Sequence, residues 1–417
     1  MRALFQTISD KLEKRFNTDA RYFLNGGFWL TLGQVFITTF GLATTVLFAH
    51  FLSETDYGIY RYLIGLAVIF SLFSLTGLDQ AILQTAAKKY YGFYQKTLKI
   101  NLIYSLPITG IAMIGAGYYW FNENTILAVG CLLIAILQPI ISTFRFVPVF
   151  LHGSRRFKES TIVHTVRMLV ISVFSIIALF LTQNILILFA VYLSGLLITN
   201  FVSHLIFKPK TEGVAEDIVT KYLNYAKHTS IRNIIGNAAY RLDSVIIFTQ
   251  LGAVELAIYT IANIVPEQIK ATFKGLASLI LPKYAQQDDV ELTKKNIPKR
   301  GLQLFIIFSI ITFLYIALSP FLYTLLFPKY DTAIFFSQLA ALSLPAMVAI
   351  LPCSLLQAHR KERELHSLNI QSSVVTILLT LVLIPSYGLI GAIVAKILSR
   401  YFNLALSFFL VYKLKSR

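Results

Sequence analysis

Charge is scarce in this chain: Asp, Glu, Lys and Arg make up 14% of its 417 residues, against about 25% in an ordinary soluble domain. A surface wetted on every side cannot be built from so few charges. Acids are scarcer than bases, 20 against 37, for a formal net charge of +17. Binding nucleic acid would need those bases in one exposed stripe. They fall instead in short clusters between apolar runs, which argues against nucleic acid as a partner. Cysteine is almost missing, and Cys131 and Cys353 both lie inside apolar segments, so neither a disulfide framework nor a thiolate metal site is expected. The histidines are scattered, and none joins a Cys or a carboxylate at metal-ligand spacing; no metal, cofactor or catalytic cluster is expected. No glycine-rich phosphate loop precedes a helix, so an ATP-driven pump would need another subunit. Polar connections reach only about twenty residues, too short for a soluble core of their own.

Apolar runs fill the space that charge leaves. Hydrophobic residues make up 56% of the chain, and its mean hydropathy is +0.68. Stretches of the roughly 20 residues needed to cross a hydrocarbon core recur throughout. Spans are expected near 28–50, 57–78, 100–121, 125–151, 161–182, 185–207, 227–250, 254–281, 301–326, 331–357, 366–385 and 388–412. The connections then alternate in charge. Most of the 37 bases fall on one side, in the N-terminal segment and in the loops carrying Lys88/Lys89, Arg155/Arg156, Lys208–Lys227, Lys283–Arg300 and Arg360/Lys361, while the opposite connections contain only Lys329. Cytoplasmic loops accumulate Lys and Arg, so both termini are expected in the cytoplasm. The N-terminus lacks a short apolar core with a small-residue cleavage site, and no signal peptide is expected to be removed.

The expected fold is an all-α polytopic membrane protein of about twelve transmembrane helices. It divides into an amphipathic segment (1–26), a first six-helix bundle (27–207), a cytoplasmic connection (208–226) and a second six-helix bundle with a short tail (227–417). Two stretches are amphipathic without spanning. Leu4, Phe5, Ile8, Leu12 and Phe16 recur at helical spacing among bases, as do Val214, Ile218, Val219, Tyr222 and Leu223 before the seventh span. Both are expected to lie in the headgroup plane, a partner-binding role being the alternative.

The halves repeat one another. Leu52–Tyr60 reads LSETDYGIY and Leu251–Tyr259 reads LGAVELAIY, and Gly77–Leu83 faces Gly275–Leu281 with a shared GL-x-x-x-IL. After the fourth and tenth spans, Leu151–Glu159 and Leu356–Glu364 both read L-x-x-x-R-[RK]-x-[KR]-E. Loop charge bias explains the arginines but not the shared Leu and Glu. Six spans separate equivalent loops, so the bundles are parallel, related by an axis along the membrane normal.

Ionisable groups at bilayer depth are costly and mark functional sites. Arg241 and Asp243 fall in the seventh span, Glu267, Lys270 and Lys274 in the eighth, and Lys396 and Arg400 in the twelfth. Arg145, Arg167 and Arg232 lie nearer the cytoplasmic ends, where snorkelling is as good a reading as cavity lining, and Arg61 lies toward the outside. Spacings of three and four put Glu267 with Lys270, Lys270 with Lys274, and Lys396 with Arg400 on shared helix faces. Arg241 and Asp243, two apart, should not face one cavity equally. With bases in excess, a cavity between the halves would attract an anion. Arg241, Lys270, Lys274, Lys396, Arg400 and Arg145 are the candidate anion contacts. Asp243 and Glu267 are either structural counter-ions or sites for a coupling H⁺ or Na⁺. Pro266, just before Glu267, removes a backbone hydrogen bond and predicts a kink.

Several strings then resemble the bacterial polysaccharide exporters, the O-antigen and capsule oligosaccharide flippases. They are Leu355-Leu356-Gln357-Ala358-His359-Arg360-Lys361, Leu383-Ile384-Pro385-Ser386-Tyr387-Gly388-Leu389-Ile390-Gly391-Ala392, Tyr57-Gly58-Ile59-Tyr60, Leu151–Lys158 and Ala257-Ile258-Tyr259. The resemblance covers nearly the whole chain. It implies the fold of the multidrug/oligosaccharidyl-lipid/polysaccharide exporter superfamily in the bacterial inner membrane. The implied substrate is a polyprenyl-pyrophosphate-linked oligosaccharide, flipped to the outer leaflet beside a polysaccharide polymerase or ligase. One departure is the family's Arg after the second span, where this chain has Leu83-Gln84-Thr85. A cation-coupled drug exporter of the same superfamily would need an acid-rich cavity. A lipid II flippase would have two more spans. A glycan polymerase or ligase embedded in the membrane would carry a long external loop, and the external connections here are short.

Overall fold

The computed structural model of the chain describes residues 20–208, 213–239, 241–274, 290–359 and 361–413. The expected amphipathic stretch over residues 4–16, the second GL-x-x-x-IL copy and Arg360 lie outside the described residues, as do the side chains of Arg232 and Lys274. All regular structure among the described residues is helical.

The first half comprises α1 (Ala20–Phe51), α2 (Glu54–Ser71), α3 (Leu78–Ala87), α4 (Gly92–Tyr104), α5 (Leu106–Phe121), α6 (Thr125–Phe144), α7 (Val147–Gly153), α8 (Phe157–Leu181) and α9 (Ile185–Phe207). The second comprises α10 (Glu216–Ala239), α11 (Leu242–Gln250), α12 (Ala253–Lys274), α13 (Val290–Leu326), α14 (Thr332–Ala341), a 3-10 turn (Pro345–Ala349), α15 (Ile350–Ala358) and α16 (Glu362–Lys413). Helices stand at all twelve expected stretches. Among the described residues eight helical segments are long and apolar enough to cross a membrane, and one of them, α16, covers two expected spans. The three stretches that do not qualify are those at α2, α10–α11 and α12. They carry Arg61, Arg241, Asp243, Glu267 and Lys270.

The sparsely charged connections are short because polar residues cap the helices that follow. Ser53 accepts a hydrogen bond from the Asp56 amide at the start of α2. Asn124 does so from Leu127 ahead of α6, and Asn184 from Leu186 and Ile187 ahead of α9. Each cap satisfies amides that the first helical turn leaves without partners. Large apolar side chains such as Phe121, Leu181 and Phe313 are exposed on the outer faces, where lipid rather than water is their solvent.

α16 is one helix in name only. Gly388 has φ 59° and ψ −137°, a conformation that is essentially glycine's alone. The Asn403 amide donates to Ser372 Oγ at 2.8 Å. These residues stand at nearly equal distances on either side of Gly388, so the two arms run antiparallel and the eleventh stretch turns into the twelfth there. α12, by contrast, continues through Pro266 without a break.

Within each half neighbouring helices pack together, α1 on α8 and α5 on α6 in the first, α12 on α14 and α11 on α16 in the second. The halves meet twice. At the sparsely charged end α2 packs on α12, the two helices that open with the repeated nonapeptide, so the repeat packs against its own copy. Tyr62 stacks on Phe248 with centroids 3.7 Å apart, and Lys329 Nζ donates to the His50 carbonyl oxygen at 2.5 Å. At the basic end α3 packs on α10. Here the structure departs from the interfacial reading of residues 214–223. Val219 and Tyr222 are buried against Leu78, Ile82 and Phe93, and the segment is the first two turns of α10. Its apolar stripe found protein to cover it before lipid could.

Candidate functional site

Between the halves lies a cavity of about 700 Å³. It is built from α1 and α2 on one side and from α11, α12, the 3-10 turn and both arms of α16 on the other. Among the described residues five bases line it, Arg61, Arg241, Lys270, Lys396 and Arg400, against two acids, Asp243 and Glu267. Hydroxyl and amide residues, among them Thr260, Asn263, Ser372, Ser399 and Asn403, make much of the remaining wall.

Glu267 is the hub. One turn along α12 is Lys270, its Nζ 3.7 Å from Glu267 Oε2. From α16, Lys396 Nζ comes within 2.9 Å of Glu267 Oε1, and Arg400 forms an ion pair with the same oxygen. The i, i+4 spacing that puts Lys396 and Arg400 on one helix face lets a single carboxylate meet both. Around the hub run neutral partners. Lys396 donates to Asn263 Oδ1 at 2.8 Å and stands over the Tyr259 ring, and Arg400 donates to the Ser343 hydroxyl. Tyr259 in turn donates its phenolic hydrogen to Asp243 Oδ2 at 2.5 Å, and Asp243 Oδ1 takes the Ser244 amide at 2.6 Å. A continuous polar chain thus runs from α11 through α12 to α16. With bases in excess, an anion entering the cavity would meet a positive potential.

Arg241 and Asp243 both line this cavity. α11 begins at Leu242 with Arg241 at its N-cap position, φ −122° and ψ −13°. Lys270, Lys396, Arg400 and Glu267 gather as their spacing suggested. Arg145 does not join them. It pairs with Asp79 of α3, Nη2 to Oδ2 3.0 Å, and lies against the Phe146 ring.

Arg145 belongs to a second pocket of about 470 Å³ inside the first half, lined also by Arg61, Arg167, Tyr60, Gln138, Tyr192 and Asn200 among others. Gly41, Thr45, Arg61 and Met168 line both spaces, so the two adjoin. Sequence reasoning missed Asp79, Tyr259, Asn263 and Ser343. Asp79 was detectable as an acid inside the repeated GL-x-x-x-IL string; the other three are ordinary polar residues whose role is visible only once α12 and α16 face each other.

Among solved structures, a multidrug resistance MATE family transporter of the MOP superfamily in an outward-facing conformation is similar at a TM-score of 0.64, with 14% identity and 94% of each chain covered. A MOP superfamily transporter from Pyrococcus furiosus, described as having a binding pocket of reverse polarity, gives 0.63 with 14% identity and the same coverage. The lipid II flippase MurJ in an inward closed conformation gives 0.60 with 16% identity, covering 92% of this chain and 87% of its own. At such low identity the likeness establishes the fold, which is that of the MOP exporter superfamily. No curated protein matches the sequence. The family described as polysaccharide biosynthesis protein matches residues 23–270. Since that is more than half of its length, the chain belongs to the polysaccharide biosynthesis protein family.

Proposed function

We propose that the protein is a flippase for polyprenyl-pyrophosphate-linked oligosaccharides, carrying them from the cytoplasmic to the outer leaflet of the bacterial inner membrane for O-antigen or capsule assembly. The observation that carries this reading is the cavity between the halves, where bases outnumber acids and three of them share one carboxylate. A pyrophosphate is a multivalent anion suited to the forked donors of Arg and the point charges of Lys. Glu267 acts as a place-holder that keeps Lys270, Lys396 and Arg400 compensated while the site is empty, and the pyrophosphate takes its place. The hydroxyl and amide wall suits sugars, and the lipid tail stays in the bilayer. Arg241 and Lys274 complete the set of proposed contacts.

Alternating access would separate α2 from α12 at one end while α3 and α10 stay together, and the reverse. Both termini lie in the cytoplasm on this reading, as the loop charges argue, and a polymerase or ligase receives the flipped glycan. A cation-coupled drug exporter is less well supported, because Asp243 and Glu267 are already engaged, one by Tyr259 and Ser244, the other by three bases. That same engagement favours counter-ion over coupling-ion roles for them.

Replacing Lys396 and Arg400 by Gln, or Lys270 and Lys274 by Ala, should abolish surface-glycan complementation while the protein still reaches the membrane. Intact export would sink the assignment. In vesicles, translocation of lipid-linked glycan without a new glycosidic bond is expected, and chain growth would point to a polymerase instead.

A further inference from the structure

The pocket inside the first half adjoins the cavity proposed for the pyrophosphate, and it is not built as a packed core. Among the described residues three arginines line it, Arg61, Arg145 and Arg167, and no acid does. Asp79 pairs with Arg145 from outside the lining. Among the described residues the Arg167 guanidinium meets neutral partners, the His164 ring nitrogen at 2.7 Å and Asn200 Oδ1 at 3.4 Å. Among the described residues no carboxylate pairs with Arg61 or Arg167. Arginines held this deep without counter-ions are expensive to keep.

The rest of the wall is equally specific. Tyr60 and Tyr192 offer broad faces with polar tips, and Thr44, Ser142 and Ser172 offer hydroxyls. Gln138 Oε1 and Ser175 Oγ, both on buried residues, have no hydrogen-bond partner among the described residues. Buried polar atoms left unpaired are uncommon, and each calls for an explanation. The volume of about 470 Å³ falls in the range of small-ligand sites, about 300–1,000 Å³.

We infer that this pocket is a second binding subsite, for a sugar that carries a negative charge as a carboxylate or a phosphate substituent. The anionic group meets Arg61 and Arg167, the ring lies among Tyr60 and Tyr192, and the sugar hydroxyls satisfy Gln138 and Ser175. Because Arg61 and Thr45 line both spaces, one lipid-linked glycan can place its pyrophosphate in the central cavity and an acidic sugar here. The subsite therefore rests on the flippase reading for its physiological ligand, and it gives that reading a substrate class: glycans with an acidic residue.

The test uses the full chain in lipid nanodiscs and saturation-transfer NMR with methyl glucuronide, glucose 6-phosphate and methyl glucoside. At least one anionic sugar should bind ten-fold or more tightly than methyl glucoside, and the stronger of the two identifies the charged group. Arg167→Gln should cut that preference at least ten-fold. Ser175→Ala, whose hydroxyl has no partner to lose, should keep wild-type thermal stability and weaken binding about three-fold, roughly one neutral hydrogen bond. Equal binding of charged and neutral sugars, or preference unchanged in both variants, overturns the subsite. Undecaprenyl pyrophosphate without sugar, titrated in parallel, separates the two claims. If it binds through Lys396 and Arg400 while the sugar results fail, the subsite alone falls; if it does not bind, the flippase reading falls and the sugar results stand on their own.

Discussion

Gly58 of α2 lies so close to Ala253 of α12 that a Cβ on Gly58 would sit 1.8 Å from the Ala253 carbonyl oxygen. The helix there is regular, so the glycine serves the approach of two backbones and not a special dihedral. In the second copy of the repeat the equivalent position is Ala257, fully buried, so only one of the two helices gives up its methyl. Gly58→Ala must push α2 and α12 apart, at a cost of about 1–3 kcal/mol, the usual range for overpacking. The expected result is a lower unfolding temperature in detergent and reduced glycan export at normal membrane levels.

Lys329 is the lone base of the sparsely charged connections, and the structure explains its presence. Its ammonium donates to the His50 carbonyl at 2.5 Å and lies 3.4 Å from that of Leu52, so a residue of the second half caps the C-terminus of a helix in the first. A cation there meets carbonyls that the helix leaves unpaired. Lys329→Ala should weaken closure at that end by about 1 kcal/mol. With Cys131 and Cys353 replaced by Ala, a cysteine placed at Ser53 should then react faster with an impermeant maleimide than it does with Lys329 intact. An unchanged rate would mean that the cap is not part of the closure.

Gly388 is a different kind of glycine, needed for its dihedral. At φ 59° and ψ −137° any other residue would be strained by about 1–3 kcal/mol. Gly388→Ala should lower the thermal midpoint, whereas Gly117→Ala should not, since a Cβ at that helical glycine meets nothing within 4 Å. Equal behaviour of the two variants would show that the turn can be made another way.

Much of this was legible in the sequence, for identifiable reasons. Apolar runs and loop charge located the helices because lipid imposes one length and one sign rule on every span. The i, i+3 and i, i+4 spacings of Glu267, Lys270, Lys396 and Arg400 put them on shared faces because helical geometry is local. That Arg241 and Asp243 line one cavity leaves no mark in hydropathy, because Arg241 precedes α11 at a non-helical dihedral. Residues 214–223 look alike whether their apolar stripe meets lipid or α3. Arg145 and Arg167 show only depth in the sequence; which of two adjoining spaces they enter depends on how α3, α6 and α8 pack.

Glu267 offers the sharpest test of how the site works, because one substitution separates a place-holder from a mere structural tie. Glu267→Gln keeps the shape of the side chain and removes its charge, leaving Lys270, Lys396 and Arg400 crowded without a carboxylate. Breaking a fully buried pair costs about 3–5 kcal/mol; these side chains keep 16% to 32% of their exposure, so screening reduces the expected loss to about 2 kcal/mol. If an anion normally takes the place of Glu267, inorganic pyrophosphate has no competitor in the variant. By linkage a tighter-binding anion raises stability more at a given concentration. Millimolar pyrophosphate should therefore restore most of the lost thermal stability of Glu267→Gln and raise that of the wild type less. A variant that is destabilised but gains no more than the wild type would show that Glu267 does not stand where the anion binds, and that the bases around it hold α12 to α16 rather than a substrate.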